Sequence, residues 1–214
     1  MAAHVRLPLA VPGMRIGIMG GSFNPAHAGH RHIALEALRR LGLDRVWWLV
    51  TPGNPLKSHA ELPPLEARIA AAQAVADHPR IIVTGLEAEL GSPYTSRTLE
   101  ALRLRLRGVD IVWIMGADNL AGLHRWQRWR RIIGSVPVAV FDRPGWRYKA
   151  AGCRAAIAFA AGRRDERAAL TLPTGRPAAW MILTIPLSSL SSTAIRRERA
   201  LRATLGGWRR TAKA

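Results

Sequence analysis

Gly20-Gly21-Ser22-Phe23-Asn24-Pro25-Ala26-His27-Ala28-Gly29-His30 follows the apolar run Met14–Met19 (MRIGIM) and opens a segment with Ile33, Ala34, Ala37, Leu38 and Leu41 at helical spacing. A short β-branched run ending in two glycines predicts a buried strand and a tight turn, and the 3.6-residue period predicts a helix behind it. Arg39 and Arg40 near the helix end and Gly42 beyond it supply a stop. Strand, glycine turn and helix start leave free backbone N–H groups aimed at the loop, where the helix dipole also favours an anion. Phosphate is the anion this arrangement suits.

His27 and His30 stand three apart across Gly29 at the helix entrance, so both imidazoles can face one bound group while the glycine allows close approach. Two other readings stay open at this point. The pair, with His32, could hold a metal, against which stand the single cysteine and the lack of a nearby carboxylate at ligand spacing. The pair could also be purely structural, with Phe23 and Pro25 as packing and turn residues. The pattern is neither G-x-G-x-x-G nor G-x-x-x-x-G-K-S/T. It resembles the G-(S/T)-F-(D/N)-P-x-H-x-G-H loop of the nucleotidyltransferase superfamily, matched here at every motif position from Gly21 to His30.

Outward from this loop, apolar runs at Arg45–Thr51, Arg80–Thr84, Val109–Met115, Val136–Phe141 and Trp180–Thr184 predict five further strands. Between them lie predicted helices at Leu65–Asp77, Thr95–Arg107, Ala151–Ala161 and Arg164–Leu170. The alternation predicts an α/β fold, Rossmann-like and doubly wound, with a mainly parallel sheet and helices on both faces. Ligands of such sheets bind beyond the carboxyl ends of the strands, which gathers Gly20–His30, Thr51–Lys57, Thr84–Thr95 and Gly116–Trp126 around one crevice. Residues 1–13 read as an N-terminal extension, dispensable or disordered, ahead of a single domain at 14–214. No repeat or Gly/Ser linker marks a second domain.

At 214 residues and 49% apolar the chain can bury a core, and it has neither a membrane-length apolar run nor a signal-peptide pattern. A cytoplasmic protein is expected. The net charge of +18 would suit nucleic acid, yet lysine occurs only at 57, 149 and 213 and the arginines are scattered over every predicted helix. That distribution favours a solvated surface with an anionic small substrate over a nucleic-acid partner.

Near the C-terminus, Leu190-Ser191-Ser192-Thr193-Ala194-Ile195-Arg196 follows the last strand and opens a helix. The hydroxyls can cap that helix, or with the arginine they can clamp phosphate. The segment resembles the I-S-S-T-x-I-R motif of the same superfamily, with Leu190 as a departure. Gly116-Ala117-Asp118-Asn119-Leu120, Trp126, Trp129, Arg143-Pro144-Gly145, Asn54-Pro55-Leu56-Lys57 and Tyr94-Thr95-Ser96-Arg97-Thr98-Leu99 are similar to the bacterial nicotinate-nucleotide adenylyltransferase family. Arg97 departs from it, since that family carries aspartate there.

The resemblance implies AMP transfer from ATP, with Mg2+, to nicotinate mononucleotide, giving deamido-NAD and pyrophosphate in NAD biosynthesis. It implies catalytic roles for His27, His30 and Arg196, and ATP contacts at Gly21, Ser22, Phe23, Gly116, Asp118, Ser191 and Ser192. Asp118 reads equally as a helix cap. Acceptor contacts would come from Lys57, Thr95 and Trp126, although Lys57 reads equally as solvated, and Trp126 and Trp129 as two core residues on one helix face. No resident metal site is implied. A related adenylyl- or cytidylyltransferase with another phosphate acceptor is the nearest alternative, and a basic nucleic-acid-binding module is a more distant one.

Overall fold

A computed structural model describes residues 7–53, 62–186, 190, 192–198 and 201. Six strands form one sheet: β1 (Arg15–Gly21), β2 (Arg45–Val50), β3 (Ile81–Thr84), β4 (Asp110–Gly116), β5 (Val138–Phe141) and β6 (Trp180–Leu183). They lie in the order β3-β2-β1-β4-β5-β6, and every neighbouring pair is parallel. The sequence expectation of a doubly wound sheet holds, with all-parallel rather than mainly parallel pairing. The predicted strands match to within two residues at each end.

Both faces of the sheet are covered, and alternate residues of each strand feed alternate cores. Ile16, Ile18, Trp47, Leu49, Trp113 and Val138 point to one side, where they pack under α3 (Leu86–Glu89), α4 (Thr95–Arg105), α5 (Ala117–Gly122) and α6 (Trp129–Ser135). The short helices α7 (Arg147–Ala151) and α8 (Arg154–Ala158) complete that layer. Met19, Val46, Trp48, Val112 and Phe141 point to the other side, under α1 (Ala28–Arg40) and α2 (Leu65–Ala76). Continuous apolar strands are what burial on two faces demands.

Two helix expectations are corrected. Ala151–Ala161 is not one helix: α7 ends at Gly152, and Cys153 starts α8 afresh by accepting the Ala156 N–H on its sulfur at 3.4 Å. Arg164–Leu170 is instead a 3-10 segment, Glu166–Thr171, whose start is fixed by the Asp165 carboxylate accepting the Arg167 N–H at 2.8 Å. Local capping overrides periodicity at both places. Before β1, the Gly13 N–H donates to Gly108 O at 2.7 Å, and Leu7 and Ala10 pack against the first core. Among the described residues no helix is long and apolar enough to cross a membrane.

The strand order reverses between β1 and β4, which start crossovers to opposite sides. Their carboxyl ends, Gly21 and Gly116, therefore flank the crevice that doubly wound sheets use for ligands.

Candidate active site

A cavity of about 560 Å³ opens at this edge, lined by Ser22, His27, His30, Thr95 and Trp126 among others. Gly20 has no room for a side chain, since a Cβ there would lie 2.6 Å from the Trp113 ring. Phe23, in the left-handed region at φ 45°, buries its ring between His30, at a centroid distance of 4.9 Å, and Trp48, at 5.0 Å. Its ring is a support for His30, leaving the loop backbone for any ligand.

His27 caps α1 with extended backbone and His30 sits in its first turn, with ring centroids 3.9 Å apart. Burial, followed by the charge of Arg143, lowers the His27 pKa to about 4. Burial, followed by the neighbouring His27 and Arg143, lowers His30 to about 3. Both rings are neutral at pH 7. The His30 Nδ1 accepts the His27 backbone N–H at 3.2 Å, so neutral His30 carries its proton on Nε2 as a donor. His27 Nδ1 is buried without a hydrogen-bond partner among the described residues. His32 is turned elsewhere, its Nε2 lying 2.9 Å from Pro186 O. Among the described residues, no three His, Cys, Asp or Glu side chains gather in a metal-binding group.

At the end of β4, Gly116 is the N-cap of α5 and Asp118 lies in its first turn without capping it. The Asp118 carboxylate folds over Gly116 so closely that a Cβ there would clash with Oδ1. Its Oδ2 accepts from Arg143 Nη1 at 2.9 Å, whereas Oδ1 is buried with no partner among the described residues. A buried carboxylate oxygen without a donor is a place for a ligand hydroxyl. Arg143 also donates from Nη2 to Leu190 O at 3.1 Å, joining β5's exit to the C-terminal segment.

Residues 192–198 are helical. The Ser192 hydroxyl donates to Pro25 O at 3.0 Å, and Arg196 donates from Nη1 to Asn24 O and from Nη2 to Thr193 Oγ1 at 3.3 Å. The two sequence motifs, some 170 residues apart, thus meet through backbone carbonyls of the Gly21–His30 loop. Ser191 lies outside the described residues, as does Lys57.

Elsewhere in the wall, Thr95 starts α4 and faces the cavity. Trp126 and Trp129 do not share a helix face: Trp126 is an extended residue closing a 3-10 turn, and Trp129 begins α6. Trp129 is buried under Arg130 and against Phe159, whereas Trp126 lines the cavity. The Arg97 side chain is about half exposed and pairs with Glu100 at 3.6 Å.

Three residues absent from the sequence-based site stand out. Arg143 has been described. Glu87 is buried in the cavity wall, where its carboxylate accepts the Thr98 hydroxyl at 3.1 Å; burial raises its pKa and hydrogen bonds from Thr98 and Thr51 oppose the shift. Arg68, on α2, is buried with its guanidinium on carbonyl groups. The Arg143-Pro144-Gly145 match was a signal for the first. Neither Glu87 nor Arg68 belongs to a local pattern that spacing could expose.

A profile of the cytidylyltransferase-like family matches residues 18–198. A protein of Methylorubrum extorquens named "Probable nicotinate-nucleotide adenylyltransferase" is 57% identical over 183 residues, 86% of this chain and 99% of its own. One of the same name from Ruegeria pomeroyi is 51% identical over 201 residues, covering 94% and 91%. Among solved structures, Plasmodium falciparum nicotinic acid mononucleotide adenylyltransferase complexed with NaAD shares the fold at a TM-score of 0.63. That match has 16% identity and covers 85% of this chain and 82% of the other.

Proposed function

The chain belongs to the cytidylyltransferase-like family and to the nicotinate-nucleotide adenylyltransferases, and from that premise we propose that it transfers AMP from ATP to nicotinate mononucleotide, releasing deamido-NAD and pyrophosphate. The observation that carries the reading is the meeting of the Gly21–His30 loop and the 192–196 segment in the wall of a single cavity that Trp126 also lines. The reading takes the enzyme as cytoplasmic, acting on small molecules.

An oxygen of the acceptor's 5′-phosphate attacks the α-phosphorus of ATP in line, and the bond to the bridging oxygen of pyrophosphate breaks with its electron pair on the leaving group. The acceptor phosphate is a dianion above its second pKa of about 6, so no general base is needed. Catalysis is then positioning and charge stabilisation. Neutral His27 and His30 donate hydrogen bonds to the ATP phosphates, and the backbone of Gly21, Ser22 and Phe23 supplies further N–H donors. Arg196, with Ser191 and Ser192, holds the triphosphate from the far end of the chain.

Asp118 Oδ1 and the close backbone at Gly116 receive a ribose hydroxyl of ATP. Thr95, Trp126 and Lys57 bind the acceptor, the indole stacking on the nicotinate ring. The cation is Mg2+, entering as part of the ATP substrate. Because such an ion is held largely by phosphates and water, a cavity lined by only two carboxylates among the described residues, Glu87 and Asp118, fits a cation that arrives on the triphosphate. Bound there, it would offset negative charge on the triphosphate.

Purified protein given ATP, Mg2+ and a panel of phosphate acceptors tests the proposal by pyrophosphate release. Nicotinate mononucleotide should give the fastest release. Faster release with a different acceptor, such as a pantetheine phosphate, would assign the chain a related transfer instead.

A further inference from the structure

Arg68 is 3% exposed, and burial lowers its pKa against the opposing charge of Glu66. Four of its five N–H bonds go to backbone carbonyls. Nε donates to Pro63 O at 2.9 Å, Nη1 to Ser22 O at 2.9 Å and Thr51 O at 2.7 Å, and Nη2 to Pro52 O at 3.1 Å. Taking a cation out of water for hydrogen bonds to carbonyls is costly, so a side chain so placed fixes a geometry that packing would not. Three pieces of chain meet on it: the exit of β1, the exit of β2 and the return of the chain into α2.

The consequence falls on the phosphate loop. In a trans peptide the carbonyl of one residue and the N–H of the next point in opposite directions. The Ser22–Phe23 bond is trans, so holding Ser22 O on Arg68 turns the Phe23 N–H away from the guanidinium. Phe23 has φ 45°, the left-handed sign that one residue of an anion-binding concavity carries. Among the described residues its N–H has no backbone partner.

We infer that Arg68 is a positioning residue for adenylyl transfer: it locks the Ser22–Phe23 peptide so that the Phe23 N–H is presented to the ATP phosphates, and it ties that peptide to the exit of β2. The inference rests on the phosphate-loop reading above. The guanidinium itself stays behind the loop and touches no substrate. Lysine cannot replace it, since three donors on one nitrogen do not reach four carbonyls in a plane.

Arg68→Ala and Arg68→Lys are compared with the wild type after circular dichroism has fixed the folded fraction at the assay temperature. A misplaced phosphate donor costs up to about 10²-fold, so kcat per folded molecule should fall on that scale in Arg68→Ala and about tenfold in Arg68→Lys. KM for nicotinate mononucleotide should stay within about twofold, since the acceptor end is untouched. Millimolar guanidinium should restore part of the kcat of Arg68→Ala, and methylammonium should not. Wild-type kcat in either variant, or a loss confined to melting temperature, would overturn the inference. If Arg68→Ala does not fold, Arg68→Lys decides by the same readouts. If the wild type makes no pyrophosphate, the functional reading fails instead. Calorimetry with inorganic tripolyphosphate then decides separately whether Arg68→Lys weakens the phosphate site.

Discussion

The two ends of the cavity are built differently. The wall proposed for phosphate is centred on consecutive residues of a strand-turn-helix unit, joined by Ser192 and Arg196, and is held by packing and hydrogen bonds: His30 against Phe23, Phe23 against Trp48, Ser22 O on Arg68. The wall proposed for the acceptor draws Thr95 from α4 and Trp126 from a bend before α6, two places joined only by the fold. A contiguous unit suits the step every such transfer shares, and a wall assembled from separate elements suits the step that differs between acceptors.

The sharpest way to break that comparison is to remove an imidazole. His27→Ala or His30→Ala should lower kcat by roughly 10²-fold, the scale of one preorganised donor, with a smaller change in KM for ATP. Near-full kcat in both variants would remove the phosphate end from the chemistry.

Next in size is the acceptor end. Trp126→Ala should raise KM for nicotinate mononucleotide about tenfold and leave KM for ATP nearly unchanged, as loss of a stacking face at one end should. Steady-state kinetics with each substrate varied in turn will show it. A Trp126→Ala enzyme changed only in melting temperature would return this residue to the core, beside Trp129.

Arg196→Lys keeps the charge and loses the bidentate fork, so kcat/KM for ATP should drop several-fold while the fold survives. Unchanged ATP kinetics with a lower melting temperature would make the residue a structural tie between Asn24 and the last helix.

The smallest effect concerns pH. The folded-state pKa values of about 4 and 3 lie below the unfolded value of about 6.5, so below that pH the unfolded chain binds protons that the folded chain refuses. Stability should therefore fall as pH drops through 6.5 and keep falling until the folded-state values are reached. Melting temperatures from pH 7 to 5 should decline more gently in a His27→Asn, His30→Asn double variant. Equal slopes would show that the imidazoles titrate normally.

The same contrast explains what the sequence disclosed. Strands buried on both faces are unbroken apolar runs, and Ile16 to Met19 or Val112 to Met115 can be read as nothing else. The Gly21–His30 loop was legible because its residues act from adjacent positions. The break at Gly152 and Cys153 was not, because a single capping contact ended one helix and began another. Arg68 sat inside an Ala-rich helical run, and its partners are backbone carbonyls, which leave no trace in residue types. Glu87 falls in a four-residue helix too short for any period to show.

The central claim, one cavity joining a shared phosphate end to a selective acceptor end, is tested most directly with α-labelled ATP and two acceptors. A carboxylate recognised by N–H donors should favour nicotinate over nicotinamide mononucleotide by about ten- to a hundredfold. The wild type should place label in a dinucleotide with that preference, and His30→Ala should slow both acceptors while leaving their ratio unchanged. Equal labelling of the two acceptors by the wild type, or a ratio that collapses in His30→Ala, would contradict the account.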